Sequence, residues 1–288
     1  MSAKQHPLRL SLLIALAMLA FAGNSLLCRA ALAGTTIDPA AFTALRLFSG
    51  ALTLWLLVLM HQRQWRPGGN YRSALALFAY AAAFSFAYTH LSAATGALLL
   101  FGAVQTTMIG FALWQGARFN GLQTLGVGCA LAGLVGLLLP GLSAPPLLQG
   151  LLMVSAGVAW GIYSLRGRGA TNATGDTAGN FVRALPMALL LCLLWRDQLQ
   201  WDLPGAGYAI ASGALASGLG YAIWYAVLPS LQAATAATLQ LSVPVITAVL
   251  GVLLLDEPLS LRLLLASIAI LGGVALFIWQ GRVVAAQR

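Results

Sequence analysis

Apolar runs of about twenty residues, cut by charges, Gly/Pro clusters and polar turns, recur along the whole chain. A run of this length lets a helix cross the hydrocarbon core of a bilayer. The runs occupy residues 8–32, 39–60, 72–90, 94–114, 121–140, 147–166, 178–196, 206–228, 232–255 and 260–280, and predict ten transmembrane helices. Connections are short, mostly 3–11 residues. The least apolar stretches, 61–72 and 167–177, read as solvated loops.

Composition removes the soluble alternatives. Hydrophobic residues make up 60% and charged residues 7%, against about 45–50% and about 25% in a soluble domain. Mean hydropathy is +0.88. At roughly 29 residues per helix and turn, ten spans use up the 288 residues. Soluble catalytic modules, nucleic-acid-binding domains and coiled coils are thereby excluded. The net charge of +9 would point to nucleic acid in a soluble protein; here it reports topology.

With the N-terminus in the cytoplasm, cytoplasmic loops and tails hold Lys4, Arg9, Arg63, Arg66, Arg72, Arg118, Arg166, Arg168, Arg282 and Arg288; the opposite side holds Arg29, Arg196 and Arg262. Lys and Arg collect on the cytoplasmic side. The bias therefore predicts both termini on the cytoplasmic side of the membrane. Lys4, Arg9 and the small-residue site Ala20-Phe21-Ala22 imitate a signal peptide, but the apolar run continues through Asn24 to Ala33. It reads as an uncleaved first helix. The sequon Asn172-Ala173-Thr174 falls in a loop assigned to the cytoplasm and is not expected to be glycosylated.

The chain offers little covalent chemistry. Cys28, Cys129 and Cys192 are far apart, each inside an apolar run, and read as small core residues. His6, His61 and His90 form no metal-ligand spacing, and no P-loop or nucleophile–base pair is present. Neither a metal nor a cofactor is predicted. All six acids, Asp38, Asp176, Asp197, Asp202, Asp256 and Glu257, lie in loops or at span ends. A carboxylate at mid-membrane is the usual proton relay or organic-cation site. For a chain that moves a solute across the membrane, its absence would favour a neutral or zwitterionic substrate, and transport that does not need a titrating acid.

A shift of about 140 residues aligns Leu91-Ser92-Ala93-Ala94-Thr95 with Leu231-Gln232-Ala233-Ala234-Thr235, Thr107 with Thr247, and Leu131-Ala132-Gly133 with Leu271-Gly272-Gly273. A shift of about 137 superposes Arg46 on Arg183, the two basic residues inside predicted spans. The duplication divides the chain into residues 1–142 and 143–288. Five helices per half is odd, so the second half is inverted relative to the first, as in many secondary transporters.

These features resemble the ten-helix, EamA-like branch of the drug/metabolite transporter superfamily. The matching residues are Ala22-Gly23-Asn24-Ser25, Arg46, Trp160-Gly161, Arg183, Tyr221-Ala222-Ile223-Trp224-Tyr225-Ala226, Ala233-Ala234-Thr235-Ala236-Ala237, Pro244-Val245, Asp256-Glu257-Pro258-Leu259-Ser260 and Gly272-Gly273. In the first half Gly116-Ala117-Arg118 replaces the acidic turn. Among subgroups the chain is most similar to the YddG-type exporters of aromatic amino acids. The resemblance implies an all-α transporter that exports small amphipathic metabolites by alternating access, with a cavity lined by spans one, three, four, six, eight and nine. Its partners are then a small-molecule substrate and the lipid bilayer of a bacterial cytoplasmic (inner) membrane; a monomer is compatible with it, and the oligomeric state stays open. The rival of the same class is a multidrug or organic-cation exporter, and the rival of another class is a polytopic membrane enzyme or receptor.

Candidates at the depth of such a cavity are Asn24, Tyr80, Phe84, Phe101, Gln105, Trp160, Tyr163, Tyr221, Trp224 and Gln240. The aromatics recur at helical spacing and suit apolar or aromatic side chains; ordinary packing is the bland alternative. Pro244 frees the carbonyl four residues earlier, that of Gln240, to receive an ammonium group, or else merely kinks the helix. Arg46 and Arg183 either snorkel and bond carbonyls, the commoner case, or attract a substrate carboxylate. The pair Gly157/Gly161 and the triplet Ser212/Ala216/Gly220 predict close helix packing.

Overall fold

In the computed structural model, residues 7–62, 68–141, 144–168, 170–231 and 233–286 are described, and they are helical apart from short turns. The helices are α1 (Pro7–Gly34), α2 (Pro39–Gln62), α3 (Tyr71–Tyr88), α4 (Ala93–Trp114), α5 (Gly121–Leu138), α6 (Leu147–Arg166), α7 (Ala173–Leu194), α8 (Leu203–Ala211), α9 (Gly220–Val227), α10 (Ala233–Gln240), α11 (Ser242–Leu255) and α12 (Leu261–Ala286). A π-helical stretch, Ser212–Leu219, joins α8 to α9. Lys4, Arg63, Arg66 and Arg288 of the topology argument lie outside the described residues.

Turns this short work because polar residues cap the exposed amides that open each helix. Asp38 accepts from Ala40 N at 2.7 Å, Asn70 from Ser73 N at 2.9 Å, and Ser92 from Thr95 N at 3.2 Å. Asn120 and Gln123 close a reciprocal capping box on α5. Asn172 caps α7, accepting from Gly175 N at 3.0 Å. This corrects the loop expected at 167–177: its second half is the first turn of α7, because the sequon asparagine is itself a helix cap. At the far end of α11, Asp256 takes a left-handed conformation (φ 51°) that terminates the helix.

Among the described residues, nine segments are long and apolar enough to cross a membrane, with α8, the π stretch and α9 forming one of them. The expected span at 72–90 forms α3 but is not among the nine. Tyr71, Arg72, Ser73, Tyr80, Ser85 and Tyr88 dilute its hydropathy, and burial explains why that is tolerated. α3 packs on α6, α7 and α2, and Ser73, Tyr80, Ser85 and Tyr88 are enclosed by protein. Leucines cover the outer faces instead, as with Leu12, Leu16 and Leu19 of α1 and Leu189, Leu190 and Leu193 of α7.

Packing is organised by a few helix pairs. α5 lies on α12 and α2 on α7; α3 and α4 pack on α6, while α11 and the α8–α9 segment pack on α1. At the α5–α12 crossing, a methyl on Gly126 would stand 2.5 Å from the Gly273 carbonyl oxygen, and a methyl on Gly273 would strike the Gly126 carbonyl in turn. The backbones touch directly, as small residues permit in membrane helices.

Candidate substrate site

Arg46 lies in the second turn of α2, below the Asp38 cap, and is only 1% exposed. It does not snorkel. Its guanidinium carbon is 4.9 Å from the centre of the Phe84 ring and 5.1 Å from that of Tyr80. Nη2 donates to the Tyr80 hydroxyl at 2.8 Å and Nε to Ser217 Oγ at 3.4 Å, while Nη1 has no acceptor among the described residues. The ionisable groups that face it are Tyr80, Tyr221 and Cys28, which are uncharged when protonated. Burying a charge without a counter-ion costs several kcal/mol; two aromatic faces return about 0.5–2 kcal/mol each.

Tyr80 joins this cation to a second polar group. Its hydroxyl also accepts from Asn24 Nδ2 at 3.1 Å, and Asn24 Oδ1 accepts from Ser212 Oγ at 2.7 Å. The chain Arg46–Tyr80–Asn24–Ser212 ties α2, α3, α1 and the π stretch together. Residues five apart on an α-helix point about 140° from each other. The wider π turn swings Ser212 and Ser217 toward one face, and both hydroxyls reach the cluster, a common placement for such bulges. The sequence offered Ser212 only as a small packing residue and did not single out Ser217. The signal was the Ser-Gly pair repeated five residues apart, at 212–213 and 217–218.

Trp160 is the centre of the aromatic set. Its ring lies 4.8 Å from Tyr80, 5.3 Å from Tyr163 in a stacked arrangement, and 5.1 Å from Tyr221, centroid to centroid. Phe84 continues from Tyr80 at 5.4 Å. Phe21 connects Tyr221 to Trp224, 5.9 Å from each, and Phe181 sits 6.1 Å from Tyr221. Phe21 and Phe181 are further residues that sequence reasoning missed. α6 carries Trp160 in close because it has no side chain at Gly157 and Gly161: a methyl on Gly157 would lie 2.6 Å from Ala103 Cβ and from the Leu100 carbonyl oxygen of α4.

The EamA-like transporter family matches the chain twice, over residues 8–139 and again over residues 148–279. The chain belongs to the EamA-like transporter family. It is thus a membrane transporter of the drug/metabolite superfamily with two EamA repeats, set apart by the same shift of about 140 residues that aligns its own segments. An uncharacterized protein of Pseudomonas aeruginosa is 58% identical over 271 residues, 94% of each chain. The uncharacterized transporter YoaV of Bacillus subtilis is 23% identical over 254 residues, 83% of this chain and 86% of its own. A crystal structure of a protein of 20% identity superposes with a TM-score of 0.66, covering 95% of this chain and 98% of that one, a likeness of fold.

In this EamA transporter, seven sequence candidates meet in one cluster: Asn24, Tyr80, Phe84, Trp160, Tyr163, Tyr221 and Trp224. Phe101 and Gln105 are buried on α4, which packs on α6; the Gln105 amide nitrogen has no partner among the described residues. Gln240 stands apart, half-buried at the end of α10. Its neighbours Ala237 and Leu241 pack with Ala130, Val274 and Ile278 in a separate small core. The helix does break before Pro244, at Leu241, and there Ser242 Oγ donates to the Leu239 carbonyl at 2.6 Å. Arg183 follows the commoner reading, with Nη1 donating to the carbonyls of Gly68 at 2.6 Å and Gly179 at 2.9 Å.

Both ends of α3 are tied to the second EamA repeat. Before Tyr71, Gly69 N donates to Asp176 Oδ1 and Asn70 N to Asn180 Oδ1, both at 2.9 Å, and Arg166 Nε reaches Ser73 Oγ at 3.0 Å. A cavity of about 40 Å³ lies there, between Tyr163 and Asp176. After Tyr88, Arg29 Nη1 donates to the carbonyls of Tyr88 and Thr89, and Glu257 Oε2 accepts from Ala93 N at 2.7 Å. A larger cavity of about 540 Å³, lined by Phe86, Thr89, His90 and Trp195 among others, opens near that end.

Proposed function

We propose that this transporter carries small amphipathic metabolites, foremost amino acids including aromatic ones, out of the cytoplasm by alternating access, like the YddG-type exporters it resembles. The observation that carries this reading is the Trp160 ring seated between Tyr80 of the first repeat and Tyr221 of the second. A ring-lined centre contributed by both repeats suits an aromatic or apolar side chain and changes shape when the repeats move. Asn24, Tyr80, Phe84, Phe101, Gln105, Trp160, Tyr163, Tyr221 and Trp224 form the proposed lining, and Gln240, the tenth sequence candidate, stands outside it on α10. A buried arginine and the lack of any acid among the cluster residues disfavour an organic-cation exporter.

The reading includes ten crossings, with α3 as the one sheltered by protein, in two inverted halves of residues 1–142 and 143–288 with both termini in the cytoplasm. The packing supports it. With α1 to α5 matched to α6, α7, α8–α9, α10–α11 and α12, α2 pairs with its counterpart α7 and α5 with α12, while α3 and α4 hold α6 much as α8–α9 and α11 hold α1. A two-fold axis in the membrane plane generates such a set.

Efflux from proteoliposomes loaded with individual labelled amino acids tests the function. Aromatic amino acids are expected to leave fastest, and without an imposed proton gradient. Efflux at the rate of empty-vesicle leakage for every amino acid would overturn it.

A further inference from the structure

We infer that Arg46 is the receptor for a carboxylate on the transported molecule. The inference rests on the aromatic cluster being the substrate site, and it narrows the substrate class to organic carboxylates. Three arginines supply the contrast. Arg29 is paired with Glu257 at 2.9 Å, and Arg183 spends its Nη1 on two carbonyls. Arg262 also has an unmet nitrogen, but it is half-buried at a helix end. Arg46 is fully enclosed, faces hydroxyl, thiol and ring groups without any carboxylate, and keeps Nη1 unpaired.

A guanidinium presents its donors as a planar fork that fits a carboxylate. Tyr80 and Ser217 hold two other nitrogens of the fork, which fixes its orientation before anything binds. The rings of Tyr80, Phe84 and Trp160 lie within the same cluster, so a carboxylate on Arg46 places an attached aryl or alkyl group among them. No acid is present there to take an ammonium group. The carboxylate is therefore required and the ammonium dispensable.

The test measures equilibrium binding to the purified full-length protein of three probes: L-phenylalanine, 3-phenylpropionate, which lacks the ammonium, and phenethylamine, which lacks the carboxylate. Wild type is expected to bind the first two and to bind phenethylamine at least about tenfold more weakly, the ratio for one lost charge-assisted hydrogen bond. Arg46→Gln should erase that preference and Arg46→Lys keep part of it. Trp160→Ala should weaken both carboxylate probes alike. If Arg46→Gln does not fold, the three-probe series on wild type still decides the matter. Phenethylamine binding as tightly as phenylalanine, or an Arg46→Gln protein that keeps the preference, overturns the carboxylate site and leaves the transport reading standing. Chloride competing where carboxylates do not overturns it too, by assigning Arg46 to an inorganic anion. A wild-type protein that binds none of the three overturns both.

Discussion

Arg29 and Glu257 are 228 residues apart in sequence, one in each EamA repeat, and their side chains meet at 2.9 Å. The same two residues reach past each other into the α3–α4 turn. Arg29 donates to the Tyr88 and Thr89 carbonyls, and Glu257 accepts from the first amide of α4. One ion pair therefore clamps three segments across the boundary between the repeats.

Removing the charge of this clamp should favour a conformation open at that end. The pair is partly exposed, with side-chain exposures of 22% and 11%, so its contribution is about 0.5–1 kcal/mol. Glu257→Gln is expected to raise the rate at which a cysteine at Thr89 reacts with a soluble maleimide by roughly two- to fivefold. An unchanged rate would mean that the clamp does not hold that end closed.

Trp160→Ala should weaken substrate binding by about 1–3 kcal/mol, the scale of a lost buried aromatic contact, while expression stays near wild type. Gln240→Ala, on α10 outside the aromatic cluster, should have less than a threefold effect. Binding of labelled phenylalanine to both variants makes the comparison; equal losses would extend the site to α10.

Gly157→Val should lower the thermal stability of the solubilised protein, by about 1–3 kcal/mol for overpacking, because its side chain must displace the α4 backbone at Leu100. Gly110→Ala on α4, where a methyl meets nothing within 4 Å, should leave stability unchanged or raise it. Melting curves of the two variants separate close packing from a general intolerance of glycine replacement.

The topology makes a labelling prediction. On a cysteine-free background, Arg168→Cys should react only from the cytoplasmic side and Asp197→Cys, whose native side chain is 90% exposed, only from outside. The opposite pattern would invert the orientation drawn from Lys and Arg placement.

Helix positions were legible in the sequence because hydropathy acts locally: a run of apolar residues predicts a crossing whatever surrounds it. The start of α7 was lost because Asn172-Ala173-Thr174-Gly175-Asp176 has the composition of a loop, and only the cap shows that it begins a helix. Arg46 and Arg183 looked alike, each a lone cation inside a span. Their fates depend on the neighbouring helices, rings and hydroxyls for one and the Gly68 carbonyl for the other, and no local pattern carries that information. Gln240 was drawn to mid-membrane by its position relative to Pro244, while the face on which it stands is decided by how α10 leans on α12.

The glycine crossing of α5 and α12 has a consequence for descent. Gly126 and Gly273 each occupy the space that a side chain on the other would need, so neither position can change before its partner has moved away, and neither backbone can move while the other helix keeps its place. Lineages of this chain are free to exchange the leucines that face lipid for other oily residues one at a time. Each clash is with a backbone carbonyl that any residue would carry, so a substitution at one position gives no licence to the other, and both are expected to stay glycine although neither carries a functional group.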